Sequence, residues 1–90
     1  MLVWASKDPV ENLDYSLDWS KEIGNDAITN SVWTADSGIT LSNPSFSATG
    51  ATTWISGGVD GKSYRIWNTI TTTSGRIEKV MVSIAIITKQ

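Results

Sequence analysis

The side chains with the clearest chemical potential are carboxylates near the amino-terminal end of the chain. Asp8, Glu11, Asp14 and Asp18, with Glu22 beyond them, form a carboxylate-rich region. Such oxygen ligands can hold Ca²⁺, and a pair of carboxylates can act as acid and base. The region lacks, however, the Asp-rich loop with a central Gly that a calcium-binding hand requires. We therefore interpret Asp14 and Asp18 as part of the solvated face of a strand.

A second segment with chemical potential is the glycine-rich stretch Gly57–Ser63, which superficially resembles a phosphate-binding loop. Its first and last glycines, Gly57 and Gly61, are one residue too close for the Walker pattern. Both flanks are β-rich, so the helix N-terminus that would hold a phosphate is missing. We expect a loop between strands or sheets, followed by a tyrosine, Tyr64, that resembles the corner tyrosine of many sandwich folds.

The residue types that are missing restrict the chemistry further. The 90 residues contain neither histidine nor cysteine. This excludes Ser-His and Cys-His catalysis, thiolate metal sites and disulfide bonds. An enzyme would have to work through carboxylates, Lys or Tyr, and a glycosidase that uses Asp14 and Asp18 is the weakest alternative. We predict a protein that is not an enzyme, with no cofactor and no catalytic residue.

Charge and hydropathy also exclude classes of partner. The net charge of −2 disfavours nucleic acid, because binding a phosphate backbone needs a concentrated basic surface. The apolar stretch Met81–Ile87 is too short for a transmembrane helix, and residues 1–6 lack the basic and long apolar regions of a signal peptide. We expect a soluble protein that is made in the cytoplasm and binds neither nucleic acid nor membrane.

The strongest structural signal is a pair of β-rich runs that flank the turn Thr73–Arg76. Alternate residues share one face of an extended strand. These residues are Tyr64, Ile66, Asn68 and Ile70 in the first run, and Val80, Val82, Ile84 and Ile86 in the second. The pattern predicts a long antiparallel hairpin over Ser63–Ile87.

Shorter β-rich segments fill the rest of the chain. The predicted strands are Leu13–Trp19, Ala27–Ala35, Ile39–Leu41, Phe46–Thr49 and Thr52–Ser56, with Asn43-Pro44 as a stop. Asp18–Ile23 is interpreted as a strand end and turn, and no helix is predicted. Turn signals recur about every 8 to 12 residues, as in immunoglobulin domains. We therefore predict one domain over residues 1–90, an all-β, immunoglobulin-like antiparallel β-sandwich of about seven strands.

Two parts of this sandwich are candidates for a protein interface. Five tryptophans are too many for one small core. If Tyr64 and Ile66 point inward, Arg65 and Trp67 point outward, and this pair of residue types is enriched at interfaces. Alternatively, Trp67 could stack on a sugar or pack beneath a neighbouring loop.

The second candidate is the apolar amino-terminal segment. Residues 1–7 form either a docking arm or an edge strand, and Leu2, Val3 and Trp4 supply its apolar surface. Strand edges are hazardous unless they are paired or guarded. Arg76, Glu78 and Lys79 could guard the outer end of the hairpin, or an edge could stay open for a partner's strand.

The order of these segments resembles a family of small immunoglobulin-like virion proteins of tailed bacteriophages, the fiber-tail adaptor proteins. The resemblance is carried by Lys7-Asp8-Pro9, Leu13–Trp19, Ser31–Ile39, Thr53–Gly58, and Tyr64 with Asn68–Thr72 through Gly75-Arg76. It implies a structural component of the virion, either in the tail or fibre attachment region or as a cement protein on the capsid. Its partners would be other virion proteins, bound in many copies in a symmetric particle.

The sequence thus supports two functional hypotheses. In the first, the chain is a non-enzymatic virion adaptor or decoration protein that makes contacts through Leu2, Val3, Trp4, Arg65 and Trp67. In the second, it is a carbohydrate-binding module, in which exposed tryptophans stack on sugar rings and the acidic cluster holds Ca²⁺. Glycan binding that is lost in Trp67→Ala would favour the second hypothesis.

Overall fold

The computed structural model describes residues 2–89. Met1 and Gln90, the ends of the predicted domain 1–90, lie outside the described residues, as does the first residue of the predicted arm 1–7. Within the described range the chain forms seven strands and one short helix. In chain order they are β1 (Leu2–Val3), β2 (Leu13–Asp18), α1 (Ser20–Ile23), β3 (Ile28–Ala35), β4 (Ile39–Phe46), β5 (Gly50–Gly57), β6 (Ser63–Thr72) and β7 (Ile77–Ala85).

The strands form two sheets that pack as a sandwich. The four-stranded sheet has the order β1-β7-β6-β3, and the three-stranded sheet has the order β2-β5-β4. The prediction of an all-β, immunoglobulin-like sandwich of about seven strands is confirmed. One pair departs from the predicted antiparallel arrangement, since β1 runs parallel to β7. Parallel neighbours need a long connection, and here the rest of the domain separates the first strand from the last.

The predicted terminal hairpin is confirmed. Its register runs from Ser63 opposite Ala85 to Thr71 opposite Ile77. Gly75 lies in the connecting turn with φ of 91°, a conformation that is open to glycine at no steric cost. The alternation predicted for both strands places their branched aliphatic side chains inward, where they are fully buried. These side chains are Ile66, Ile70, Val82 and Ile84.

Three other predicted strands are also confirmed. Leu13–Trp19 matches β2 to within one residue, Ala27–Ala35 matches β3, and Thr52–Ser56 lies within β5. Asp14 and Asp18 are exposed on β2, as predicted for its polar face.

The strand end predicted in Asp18–Ile23 is confirmed at Asp18, but the residues predicted as a turn form helix α1. The Asp18 carboxylate accepts a hydrogen bond from the Ser20 amide at 2.9 Å, and the helix ends at Gly24 with φ of 59°. Ile23 is buried, so the turn of helix adds a side chain to the core. The prediction was wrong here because a helix of four residues is too short to show a helical period in the sequence.

The predicted stop at Asn43-Pro44 is also wrong, because β4 continues through it. The register against β5 shifts between Ser42 and Ser45, and Asn43 has a positive φ of 46°. A proline is tolerated here because β4 is an edge strand with a bulge, where no ladder partner is required. The strand predicted at Phe46–Thr49 is therefore the end of β4 followed by a turn.

The core lies between the sheets and includes a buried polar pair. Trp19 and Ile70 pack in one part of it, and Ile55 and Tyr64 pack in the other. Asn68 is fully buried on the inner face of β6 and accepts a hydrogen bond from the Trp19 indole nitrogen at 2.9 Å. This bond connects the two sheets, because Trp19 directly follows β2.

Candidate protein interface

The outer face of the four-stranded sheet presents a tryptophan between two cations. Trp67 lies on β6 with its side chain half-buried and directed away from the core, as predicted. The Arg65 guanidinium carbon lies 5.3 Å from the centre of the indole ring, and the Lys79 ammonium nitrogen lies 5.9 Å from it. Both distances fall within the range of cation–π attraction. The indole is therefore held by its neighbours in a defined place on the surface.

Asp36, just after β3, fixes the position of Arg65. Its carboxylate accepts hydrogen bonds from the Arg65 backbone amide at 2.9 Å, from Nε at 3.1 Å and from Nη2 at 3.3 Å. These side-chain bonds from Arg65 lower the pKa of Asp36, and in return they raise the pKa of Arg65. Most of the guanidinium side chain is still exposed, so Arg65 is oriented yet available for a partner.

The residues directly paired with Trp67 on the neighbouring strands are uncharged. Cross-strand pairing places Thr34 and Met81 on either side of Trp67. Val32, two residues before Thr34, is half-exposed, and Ile77 at the end of the face is 71% exposed. Aromatic, Met and Arg side chains are enriched at protein interfaces. We call the set Val32, Asp36, Arg65, Trp67, Ile77 and Lys79 the outer patch.

The amino-terminal residues divide between this face and the core. Leu2 and Val3 form β1 and remain largely exposed at the edge of the sheet. Val3 pairs with Ser83, and Ser83 pairs with Arg65, so Val3 lies in the same cross-strand row as Arg65, about 10 Å away.

Trp4 takes a different place from Leu2 and Val3. Its ring stacks on Tyr15 with centroids 4.9 Å apart and lies 5.9 Å from the ring of Trp33, against both parts of the core. The structure therefore brings Val3, Arg65 and Trp67 onto one face and places Trp4 against the core, in contact with residues of both sheets.

Lys7 is a buried residue whose role the sequence did not reveal. Its side chain is fully buried, and the ammonium group donates hydrogen bonds to the backbone carbonyls of Asp8, Glu11 and Gly57, each at 2.8 Å. Burial lowers the pKa of Lys7, and the carboxylates of Glu11 and Asp8 partly oppose this effect. The residue holds the amino-terminal segment against the end of β5. The sequence singled out Lys7 only as part of Lys7-Asp8-Pro9, and nothing local in the sequence indicated that its side chain is buried.

The acidic residues are distributed over different structural roles. Asp8 is buried and accepts hydrogen bonds from the amides of Val10 at 2.9 Å and Lys89 at 2.7 Å. Glu11 pairs with the Lys89 ammonium group at 2.7 Å. Among residues 2–89, no three Asp or Glu side chains lie close enough together to hold a metal ion. Asp8 and Glu11 therefore fasten the carboxy-terminal end to the amino-terminal segment.

The glycine-rich segment forms the connection from β5 in one sheet to β6 in the other, as predicted. The Tyr64 hydroxyl accepts a hydrogen bond from the backbone amide of Val59 at 3.0 Å. The predicted corner tyrosine is thus confirmed. Gly38 makes room for this ring, since a Cβ at that position would lie 2.8 Å from Tyr64 Cε1.

Fold and surface together define a class of protein: a small immunoglobulin-like module that presents an ordered aromatic and cationic surface on one sheet. Residues 7–85 match the family described as podophage GP4 fiber-tail adaptor protein gp77. The chain therefore belongs to this family, whose members are structural proteins of the bacteriophage tail, and the resemblance seen in the sequence is confirmed. No individual curated protein matches the chain at a significant level. In the described part of the chain, no helix combines the length and apolar character needed to cross a membrane.

Proposed function

We propose that this chain is a non-enzymatic adaptor that joins tail and fibre components of the virion through protein–protein contacts. Its membership of the fiber-tail adaptor family supports the role. The single structural observation that carries the proposal is the Trp67 indole, held between Arg65 and Lys79 on the outer face of a sheet.

The outer patch has the properties expected of an energetic centre of binding. Trp and Arg are enriched in such centres. Here the Asp36 carboxylate orients Arg65, and Arg65 lies beside the indole. Because the free protein has already ordered this arrangement, binding loses less side-chain entropy. Val3 extends the exposed apolar surface along the edge of the same face, whereas Leu2, paired with the buried Val82, is exposed on the other side of β1.

Repetition in the particle would strengthen the contact that one outer patch makes. Many copies in a symmetric assembly act together, so that their combined affinity exceeds that of one contact by a large factor. The net charge of −2 favours protein partners over nucleic acid in this arrangement.

The test is the incorporation of a Trp67→Ala chain into phage particles. We expect the variant to fold, as shown by circular dichroism, and to be lost from purified particles. Phe46→Ala is the matched control, because Phe46 is an exposed aromatic residue on the opposite sheet. Normal incorporation of Trp67→Ala would contradict the proposed surface.

Two further measurements separate the adaptor role from the other hypotheses. Immunogold labelling should place the wild-type chain at the tail, whereas labelling over the capsid would indicate a decoration protein. Glycan binding by the isolated domain that is lost in Trp67→Ala would favour the carbohydrate-binding module.

A further inference from the structure

A groove opens between the two sheets next to β7. Its volume is about 150 Å³, and its apolar wall is formed by Leu17, Trp19 and Val80, with Leu2 at one end. A cavity of about this volume holds a benzene-sized group in other proteins. The groove can therefore accept one branched or aromatic side chain.

Among residues 2–89, the part of the β7 edge that borders this groove has no paired strand. In the described residues, β1 pairs with β7 only at Val82 and Ser83, and the Trp4 amide donates to the Ser83 carbonyl at 2.9 Å. Alternate residues of a strand direct their backbone groups to the same side. By the alternation that directs the Ser83 carbonyl towards Trp4, Ile77 and Lys79 direct their N–H and C=O groups to the β1 side of β7, ahead of Leu2, where none of residues 2–89 pairs with them. Such an edge can pair with an additional strand.

The groove also carries a carboxylate oxygen that lacks a donor. Glu78 Oε2 is buried and has no hydrogen-bond partner among the described residues. The nearest cation, Arg76 Nε, is 3.9 Å away, which is too far for a hydrogen bond. Asp18 and Glu22 line the same groove, and these carboxylates outnumber its one cationic lining residue, Lys79. A buried acceptor without a donor is unfavourable, so a cationic group placed here would be stabilised.

We propose that this groove binds an extended segment of another protein, which adds a strand to the open edge of β7. An apolar side chain of the segment enters between Leu17 and Trp19, and a flanking Lys or Arg pairs with Glu78. The charge of the groove selects this occupant over a second copy, because two copies carry net charge of the same sign. The identity of the partner as a tail or fibre protein rests on the proposed function, whereas the binding mode can be measured on the isolated chain.

The experiment uses a synthetic peptide and the isolated, isotope-labelled protein. The probe is the capped heptapeptide Thr-Lys-Thr-Leu-Thr-Lys-Thr, whose Lys and Leu side chains share one face of an extended strand. We expect it to shift the NMR signals of the Trp19 indole and of Val80. Amide exchange at Ile77 and Lys79 should slow by about tenfold or more at saturation, because new inter-strand hydrogen bonds form.

The variants test the charges separately from the fold. The double variant Asp18→Asn, Glu78→Gln keeps the shape of both side chains and should lower the affinity for the peptide by about tenfold or more. Asp14→Asn, on the same strand as Asp18 but outside the groove, should change the affinity by less than about twofold. The same peptide with Glu in place of Lys should bind at least about tenfold more weakly.

Several results would overturn the proposal. One is the absence of any spectral change with about 1 mM peptide. Another is a Glu peptide that binds as tightly as the Lys peptide. A third is a set of NMR shifts confined to the outer patch. Dimers formed through the β7 edge in sedimentation experiments would exclude the chosen occupant. If the peptide fails while Trp67→Ala is still lost from particles, the adaptor role stands and the groove is not its binding site.

Discussion

The Trp19 indole N–H donates a hydrogen bond of 2.9 Å to the Asn68 side-chain oxygen, in the interior between the two sheets. The Asn68 side-chain nitrogen in turn donates to the Ser31 hydroxyl at 2.8 Å and to the Val32 carbonyl at 3.2 Å. Asn68 is fully buried, so its polar atoms depend on these partners. One side chain thus connects β2, β6 and β3.

Replacing Asn68 with leucine should lower the free energy of unfolding by about 2 to 3 kcal/mol. The substitution keeps the branched shape of the side chain but adds volume in the core and leaves the buried Trp19 N–H without an acceptor. Chemical denaturation measures the loss. Asn30→Leu is the control, because Asn30 is exposed on β3 and should change stability by less than about 0.5 kcal/mol. Equal losses in the free energy of unfolding for the two substitutions would show that the buried Trp19–Asn68 hydrogen bond does not stabilise the domain.

Replacing Lys7 with methionine should destabilise the domain by about 3 kcal/mol. The new side chain packs similarly but leaves three backbone carbonyls without their donor. Thermal unfolding measures the change, with Lys62→Met as the control at an exposed position. A Lys7→Met protein as stable as the wild type would show that packing of the alkyl chain, and not the ammonium group, holds the amino-terminal segment.

Removing the Tyr64 hydroxyl should lower the free energy of unfolding by about 1 kcal/mol. In Tyr64→Phe, the Val59 amide loses its acceptor while the ring keeps its packing. Tyr15→Phe should have a smaller effect, because its hydroxyl bond to the Ala5 carbonyl is longer, at 3.2 Å, and exposed. Denaturant unfolding compares the two, and the reverse order would contradict the role assigned to the corner tyrosine.

Asp26 should make stability depend on pH in the acid range. Hydrogen bonds from the side chains of Ser74 and Thr72 lower its pKa from 3.8 to about 2. Because the folded pKa is depressed, the contribution is fully present well above pH 3.8 and is lost as the pH falls towards 2.

Asp26→Asn should therefore lose stability relative to the wild type at neutral pH, and the difference should shrink as the pH falls from about 5 to about 2. Melting temperatures measured across this range provide the check. A difference that stays constant with pH would show that the ionised carboxylate of Asp26 does not stabilise the turn at Ser74.

Much of the fold follows from local patterns that the sequence displays directly. The two-residue alternation in Leu13–Trp19 and Ser63–Ile87 assigns an inner and an outer face to each strand, because a strand has only two faces. This alternation alone is enough to place Arg65 and Trp67 on the outer face. The position of Tyr64 just after the glycine-rich loop likewise predicted the hydrogen bond that its hydroxyl accepts across the corner.

The tertiary structure decided the features that depend on residues distant in the chain. Lys7 is buried because the Gly57 carbonyl, 50 residues away, meets its ammonium group. Pro44 stays within β4 because that strand lies at an edge, and edge position is a property of the whole sheet. Among residues 2–89, β1 pairs with β7 only at Val82 and Ser83, and the periodicity of β7 gives no sign of this short pairing. Periodicity reports the faces of a strand, whereas its neighbours are set by how the entire chain packs.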